Sequence, residues 1–382
     1  FIGSNAAEAH PVAMQHVLRG KENGAKMIVV DPRFTRTAAH ADQFLRIRPG
    51  SDVPIIWGIL WHVFENGWED KEYIRQRVYG MDEIRAEVAK WTPDVVENVT
   101  GVPEDQVKLA AKTMAENRPG TIVWCMGGTQ HTIGNNNTRA YCAMQLALGN
   151  VGVSGGGANI FRGHDNVQGA TDLGILSHTL PGYYGLSDGA WKHWSRVWGL
   201  DHAWVQGRFD TDYANTGSAE DGPVPFANPM NSAGMPVSRW IDGVLEEAEL
   251  IDQRDQLKAM FFWGHAPNSQ TRGPEMKKAL EKLELVVVVD PYPTHTAVLP
   301  DRQEGIYLLP AATQFETYGS VTASNRSLQW RDKVIDPLFE ALPDHTIMYK
   351  LSKKLGFSDQ LFKNIKVEND EPNIEDILRE IN

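Results

Sequence analysis

Short apolar runs alternate with amphipathic stretches along the chain. Runs at residues 25–30, 121–126, 258–263 and 285–289 are each followed at once by Gly or Asp, and they read as strands. Helical spacing of apolar residues marks 11–21, 53–65, 82–90, 103–117, 136–149, 274–283 and 345–355. Strands alternating with helices predict βα units and a parallel sheet, so the expected fold class is α/β. Residues 207–236 are rich in Gly, Pro, Asn and Ser with little periodicity, and they predict a long irregular connection.

The pattern repeats. Val29-Val30-Asp31-Pro32-Arg33-Phe34-Thr35-Arg36-Thr37-Ala38 and Val288-Val289-Asp290-Pro291-Tyr292-Pro293-Thr294-His295-Thr296-Ala297 both read V-V-D-P-x-x-T-x-T-A. An apolar strand ending in Gly precedes each: Phe1-Ile2-Gly3 and Met260-Phe261-Phe262-Trp263-Gly264. Gly3 lies 28 residues before Asp31, and Gly264 lies 26 before Asp290. In open α/β sheets ligands bind at the carboxyl ends of strands. There a Gly lets backbone approach a phosphate at a helix N-terminus, and an Asp accepts from a ribose or from a guanine edge. The repeat therefore predicts two nucleotide-like ligands or one spanning both halves. The bland alternative is that duplicated βαβ units merely build a sheet and that Asp-Pro ends a strand. Only two residues precede Gly3 where a whole strand precedes Gly264, so the chain is expected to be a piece of something longer.

Composition narrows the classes. At 382 residues with 42% hydrophobic, the chain exceeds one core, and two domains are expected, with the boundary placed between 1–165 and 166–382. A net charge of −12 argues against nucleic acid as the partner. Two cysteines, Cys125 and Cys142, cannot by themselves form a four-cysteine zinc site or ligate an iron–sulfur cluster. The longest apolar-rich stretch, 53–64, is too short to cross a bilayer.

No Walker A loop, strand-linked G-x-G-x-x-G or G-x-S-x-G occurs, which weakens nucleoside triphosphatase, NAD dehydrogenase and serine hydrolase readings. The twelve histidines show no H-E-x-x-H, so no metal ligand is assigned. His178, His193 and His202 fall in a stretch with Trp191, Trp194, Trp198 and Trp204 and are expected to pack in an aromatic cluster. Residues 154–169 set flexible backbone beside Arg162, His164, Asp165, Asn159, Asn166 and Gln168, as suits a loop that closes on a ligand. Arg162 stands out because a guanidinium fork matches a carboxylate with two parallel bonds; a surface ion pair is the ordinary alternative. Residues 124–131 form a second strand-end cluster. Ser51 or Asp52 can cap the helix opening at Val53.

These stretches resemble the catalytic subunit of molybdopterin-dependent formate dehydrogenases, in the dimethyl sulfoxide reductase superfamily. The resemblance rests on Gly3-Ser4-Asn5-Ala6-Ala7-Glu8-Ala9-His10-Pro11, on 24–42, 92–101, 126–131, 155–182 and 316–330, and is nearest the respiratory branch through 35–42. It implies two related, doubly wound, Rossmann-like domains holding bis-molybdopterin guanine dinucleotide with Mo or W. Asn5, Glu8, Asp31, Arg33, Gly50, Ser51, Asp52, Gly127 and Gln130 would line one dinucleotide, with Gly163 beside the pterin. Gly264, His265, Pro267, Asp290 and Thr294 would line the other. Arg162 and His164 would serve catalysis, Arg162 holding formate, which is oxidised to carbon dioxide while electrons leave through iron–sulfur centres.

The resemblance also places the selenocysteine or cysteine metal ligand, its adjacent catalytic histidine and the 4Fe-4S cysteines before Phe1, and a cap domain after Asn382. The chain alone is then expected to be inactive. Partners implied are formate, the missing portions of the subunit, an iron–sulfur subunit and a membrane cytochrome. The implied location is the periplasmic face of the inner membrane, with the cytoplasm as alternative. Another molybdopterin oxidoreductase such as a nitrate reductase, a non-catalytic guanine-dinucleotide-binding module, and an NAD or sugar-nucleotide enzyme are the competing readings.

Overall fold

The computed structural model describes residues 1–209, 230, 234–237, 239–251, 253, 255–267 and 272–381. Most of the expected irregular connection at 207–236 lies outside the described residues. The chain divides into two compact units, Phe1–Asp165 and Asn166–Asn382.

In the first unit a parallel sheet runs Gln43–Leu45, Ile28–Val30, Ile2, Thr121–Trp124, Gly157–Ile160, with Ile2 bridging Val30 on one side and Trp124 on the other. Alternation sends neighbouring residues to opposite faces. Val30, Leu45 and Ile2 pack with Ile55, Ile56, Ile59 and Leu60 of the Asp52–Glu65 helix. Met27 and Val29 pack with Met14 of the Pro11–Glu22 helix on the other side. Both faces are covered, which is why these strands read as apolar runs.

In the second unit Ala259–Trp263, Leu285–Asp290 and Ile306–Pro310 pair in parallel, in that order. The Gly273–Lys282 helix connects the first two, with Pro274 in its first turn where a missing N–H costs nothing. Val286 and Val288 face Trp240, Met276 and Leu280, whereas Val287 and Val289 face Ala311 and Ile347. The sequence repeat is therefore a structural repeat: Ile2, Ile28–Val30 and Gln43–Leu45 follow the order and direction of the three strands of the second unit. A single helical turn, Ala38–His40 or His295–Val298, precedes the third strand in each.

Every predicted helix and strand forms, with ends displaced by at most three residues. The Gly-rich stretch 154–169 is more regular than its composition suggests. Gly157–Ile160 is the edge strand of the first sheet, and Val167–Asp172 is a helix of the second unit. Helices Lys71–Arg77 and Pro93–Thr100 and strands Gln43–Leu45 and Ile306–Pro310 also form. The Trp-rich stretch packs as an aromatic cluster around His193, with Tyr184 stacked on it at 5.0 Å and Trp194 against Trp198 at 5.6 Å, whereas His202 meets the Asp188 carboxylate at 3.1 Å. Among the described residues no helix is long and apolar enough to cross a membrane.

Candidate functional site

Parallel strands bring their carboxyl ends to one edge. In the first unit Leu45, Val30, Ile2, Trp124 and Ile160 stand in register, so the segments after them emerge side by side. Those segments carry Asp31, Gly3 to Asn5, Cys125 to Gly127, and Phe161 to Arg162. Asn5, Asp31, Gly127 and Arg162, far apart in sequence, thus reach the same end of one sheet.

Gly3 makes this edge compact. Its φ is +58°, and a Cβ there would lie 2.5 Å from the Gly128 N and 2.6 Å from the Gly127 carbonyl carbon. A Cβ on Gly127 would in turn meet the Gly3 O at 2.6 Å. Two strand-end turns pack backbone to backbone, so the glycines are explained here by close approach.

Asn5 is held from Thr37 of the repeated motif. Thr37 Oγ1 donates to Asn5 Oδ1 at 2.9 Å, the Thr37 N–H donates to the same oxygen, and Thr37 Oγ1 accepts from the Ala7 N–H. Asp31 Oδ1 accepts from the Arg33 N–H at 2.9 Å. Burial raises the Asp31 pKa above the ordinary carboxylate range, Arg33 opposes this through its N–H and its charge, and the Asp52 charge adds to the rise. Asp52 is buried and accepts from the Tyr141 hydroxyl at 3.0 Å. The Tyr141 proton is correspondingly held well above its usual range, by burial first and then by Asp52. Neither Ser51 nor Asp52 caps its helix by a side-chain hydrogen bond, contrary to expectation. Ser51 donates back to the Arg48 carbonyl at 2.6 Å, and Asp52 is turned to Tyr141. Gly50 is exposed at φ +84°.

The remaining assigned positions of this unit are surface groups. Glu8 pairs with Arg36 at 3.4 Å, and Arg33, Gln130, Gly163 and His164 are exposed. Arg162 is half-buried, and its carbonyl meets the His10 ring at 2.7 Å.

The second unit reproduces the strand-end geometry. Gly264 has φ +57°, and its N–H donates to the Val289 carbonyl just as that of Gly3 donates to Val30. Asp290 Oδ1 accepts from the Tyr292 N–H at 3.2 Å, the counterpart of Asp31 and Arg33. Among the described residues nothing lies within 4 Å of a Cβ built on Gly264. Pro267 is buried, and His265 Nε2, Thr294 Oγ1 and Thr296 Oγ1 are buried with no hydrogen-bond partner among the described residues. Buried polar atoms are normally paired, so three orphans around an open strand end fit a polar ligand. Among the described residues no group of three or more His, Cys, Asp or Glu is placed to hold a metal ion.

Comparison with known proteins gives the architecture its family. The model of the molybdopterin oxidoreductase family matches residues 1–354. The chain belongs to the molybdopterin oxidoreductases. It is 32% identical to the F420-dependent formate dehydrogenase subunit alpha of Methanocaldococcus jannaschii over 383 residues, covering 100% of this chain and 49% of that protein. It is 29% identical to formate dehydrogenase H of Escherichia coli over 358 residues, covering 93% and 45%. It is 31% identical to the nitrate-inducible formate dehydrogenase major subunit of Escherichia coli, covering 91% and 42%. The chain thus spans about half the length of the curated relatives it matches, and these near-equal identities single out no branch of the formate dehydrogenases. Among solved structures, acetylene hydratase from Pelobacter acetylenicus has the same fold, with a TM-score of 0.65 at 22% identity, over 94% of this chain and 47% of that one.

Sequence reading did not single out Thr37, Thr296 and Tyr141 as site residues. The second T of V-V-D-P-x-x-T-x-T-A was a usable signal, because Thr37 and Thr296 are both fully buried.

Proposed function

We propose that this molybdopterin oxidoreductase chain is the central portion of a formate dehydrogenase catalytic subunit, holding the two dinucleotide halves of a bis-molybdopterin guanine dinucleotide cofactor. The observation that carries the reading is the doubled strand end. Gly3 with Asp31, and Gly264 with Asp290, share φ, backbone pairing and turn geometry in two separate units. The residues fit the group on their own chemistry. Asp31, whose pKa is raised by burial first and least by the Asp52 charge, is a carboxylate that a donor-rich edge such as guanine N1 and N2 would satisfy. The orphaned His265, Thr294 and Thr296 atoms would be satisfied by hydroxyl and phosphate groups.

When bound, the cofactor supplies a Mo or W centre that takes two electrons from formate, which leaves as carbon dioxide with release of one proton. The chain's own part is to bind and orient. Asn5, fixed by Thr37, and Gly3, which permits close approach, form the rim of one dinucleotide site. Arg162 offers a planar guanidinium to the formate carboxylate at the carboxyl end of the sheet, fixing which way the C–H bond points. His164, exposed two residues further on, would lie beside the pterin. Electrons pass to iron–sulfur centres outside this chain and to an iron–sulfur partner subunit. The near-equal relatives named for formate favour this over a nitrate reductase.

The test is formate-dependent dye reduction by the complete, cofactor-loaded subunit that contains this chain (the holoprotein), with Arg162→Ala beside it. Loss of a charged bidentate contact is expected to lower kcat/KM by roughly 10- to 100-fold. A holoprotein that carries pterin yet reduces no dye with formate would overturn the substrate, and one without pterin would overturn the cofactor.

A further inference from the structure

We infer that His10 is a positioning residue for Arg162. The inference rests on the reading of Arg162 as the formate contact. His10 lies between the Ala6–Ala9 turn and the Pro11–Glu22 helix, with φ −135° and ψ 56°; the following proline disfavours helical backbone there and so separates the two segments. Its N–H closes the first segment on the Ala6 carbonyl at 2.8 Å, and its carbonyl accepts from Met14 at 3.0 Å in the second. The backbone of His10 is therefore fixed on both sides.

From that fixed point the ring reaches 152 residues along the chain, placing Nε2 2.7 Å from the Arg162 carbonyl. A carbonyl can only accept, so Nε2 carries the proton. Nδ1 is buried without a partner among the described residues, so the ring's other nitrogen does not compete for that role. The ring also packs on Phe161 at 5.1 Å between centroids, and Phe161 meets Phe1 edge-on at 6.3 Å. Phe161 is itself anchored to the sheet, its N–H donating to the Trp124 carbonyl at 3.0 Å.

The consequence is a continuous hydrogen-bonded path from Thr37 to Asn5, along the Ala6–Ala9 turn to His10, and on to Arg162. The first segment of that path carries a proposed cofactor contact and its far end the proposed substrate contact. One rigid piece thus sets Arg162 relative to the cofactor. The edge strand Gly157–Ile160 ends two residues before Arg162, and the His10 ring fixes the backbone there at the Arg162 carbonyl.

The test compares His10→Phe, which keeps an aromatic ring on Phe161 but loses the donor, with His10→Gln, whose side-chain amide N–H can still reach the carbonyl. Amide hydrogen exchange over 161–163, formate KM and kcat, and pterin content are read on the holoprotein. His10→Phe is expected to quicken exchange at 161–163 and to raise formate KM, each by about tenfold, the size of one hydrogen bond. Its kcat and pterin content should stay within about twofold, whereas a general loss of structure would lower both. His10→Gln is expected to restore wild-type values. Unchanged exchange in His10→Phe, or failure of His10→Gln to rescue it, overturns the inference. Quicker exchange with an unchanged formate KM upholds the clamp and refutes Arg162 as the formate contact instead.

Discussion

Gly3 and Gly264 stand at equivalent strand ends with nearly the same backbone conformation, φ +58° and +57°, yet their surroundings differ. Alanine at either position must adopt the left-handed region, at a cost of about 1–2 kcal/mol. At Gly264 no steric cost adds to it among the described residues, because none of them lies within 4 Å of the added carbon. At Gly3 the carbon would sit 2.5 and 2.6 Å from backbone atoms of Gly128 and Gly127, which cannot rotate away as a side chain could. Forcing apart packed backbone adds roughly 1–3 kcal/mol or more. Gly3→Ala is therefore expected to cost about 2–5 kcal/mol and Gly264→Ala about 1–2. Urea unfolding of the purified chain, followed by circular dichroism, reads this as a clearly larger midpoint shift for Gly3→Ala. In the holoprotein the ranking should invert for pterin content at fixed folded fraction, because the open space at Gly264 is where a dinucleotide is proposed to lie. Equal midpoint shifts, or a Gly264→Ala protein that keeps its full pterin, would refute the reasoning.

The repeated threonines give a matched pair. Thr37→Val loses bonds to Asn5 and Ala7 and should destabilise the chain by about 1–3 kcal/mol, whereas Thr296→Val, which removes a buried hydroxyl without a partner among the described residues, should be neutral or stabilising in thermal melts. Asp242 is buried between Arg272 and Arg239, at 2.6 Å from the former, and hydrogen bonding to Arg272 first, then to Arg239, holds its pKa below the ordinary carboxylate value. A lowered folded pKa means that its contribution is complete above the unfolded value of about 3.9 and is lost as pH falls through the folded one. Asp242→Asn should cost about 1–3 kcal/mol at pH 7 and progressively less on acidification below pH 4, measured by urea midpoints across pH, and a pH-independent loss would contradict the pairing.

The strand Leu285–Asp290 was legible because burial on both faces leaves a continuous apolar run, and the helix Asp52–Glu65 because its buried stripe recurs at helical spacing. Gly157–Ile160 was not, since its Gly, Ala and Asn resemble loop residues; only pairing with Thr121–Trp124 makes it a strand. That pairing also decides where Arg162 goes, so the residue was recognisable by type but its strand-end position was not. Asp31 and Asp290 were readable as strand ends, while the proximity of Asp52 to Asp31 depends on a tertiary arrangement no spacing reports. The family resemblance quoted His10 within its motif and assigned it nothing. Its contact with Arg162 joins segments 152 residues apart and has no local signature.

The claim on which everything else depends is that each of the two related halves holds a guanine dinucleotide. Acid hydrolysis of the holoprotein with quantitation of the released nucleotide tests it most directly. The account predicts guanine as the only base, two per chain, falling to one in a variant whose second strand end is blocked by Gly264→Ala. One guanine nucleotide per wild-type chain, an adenine nucleotide, or none at all would contradict it.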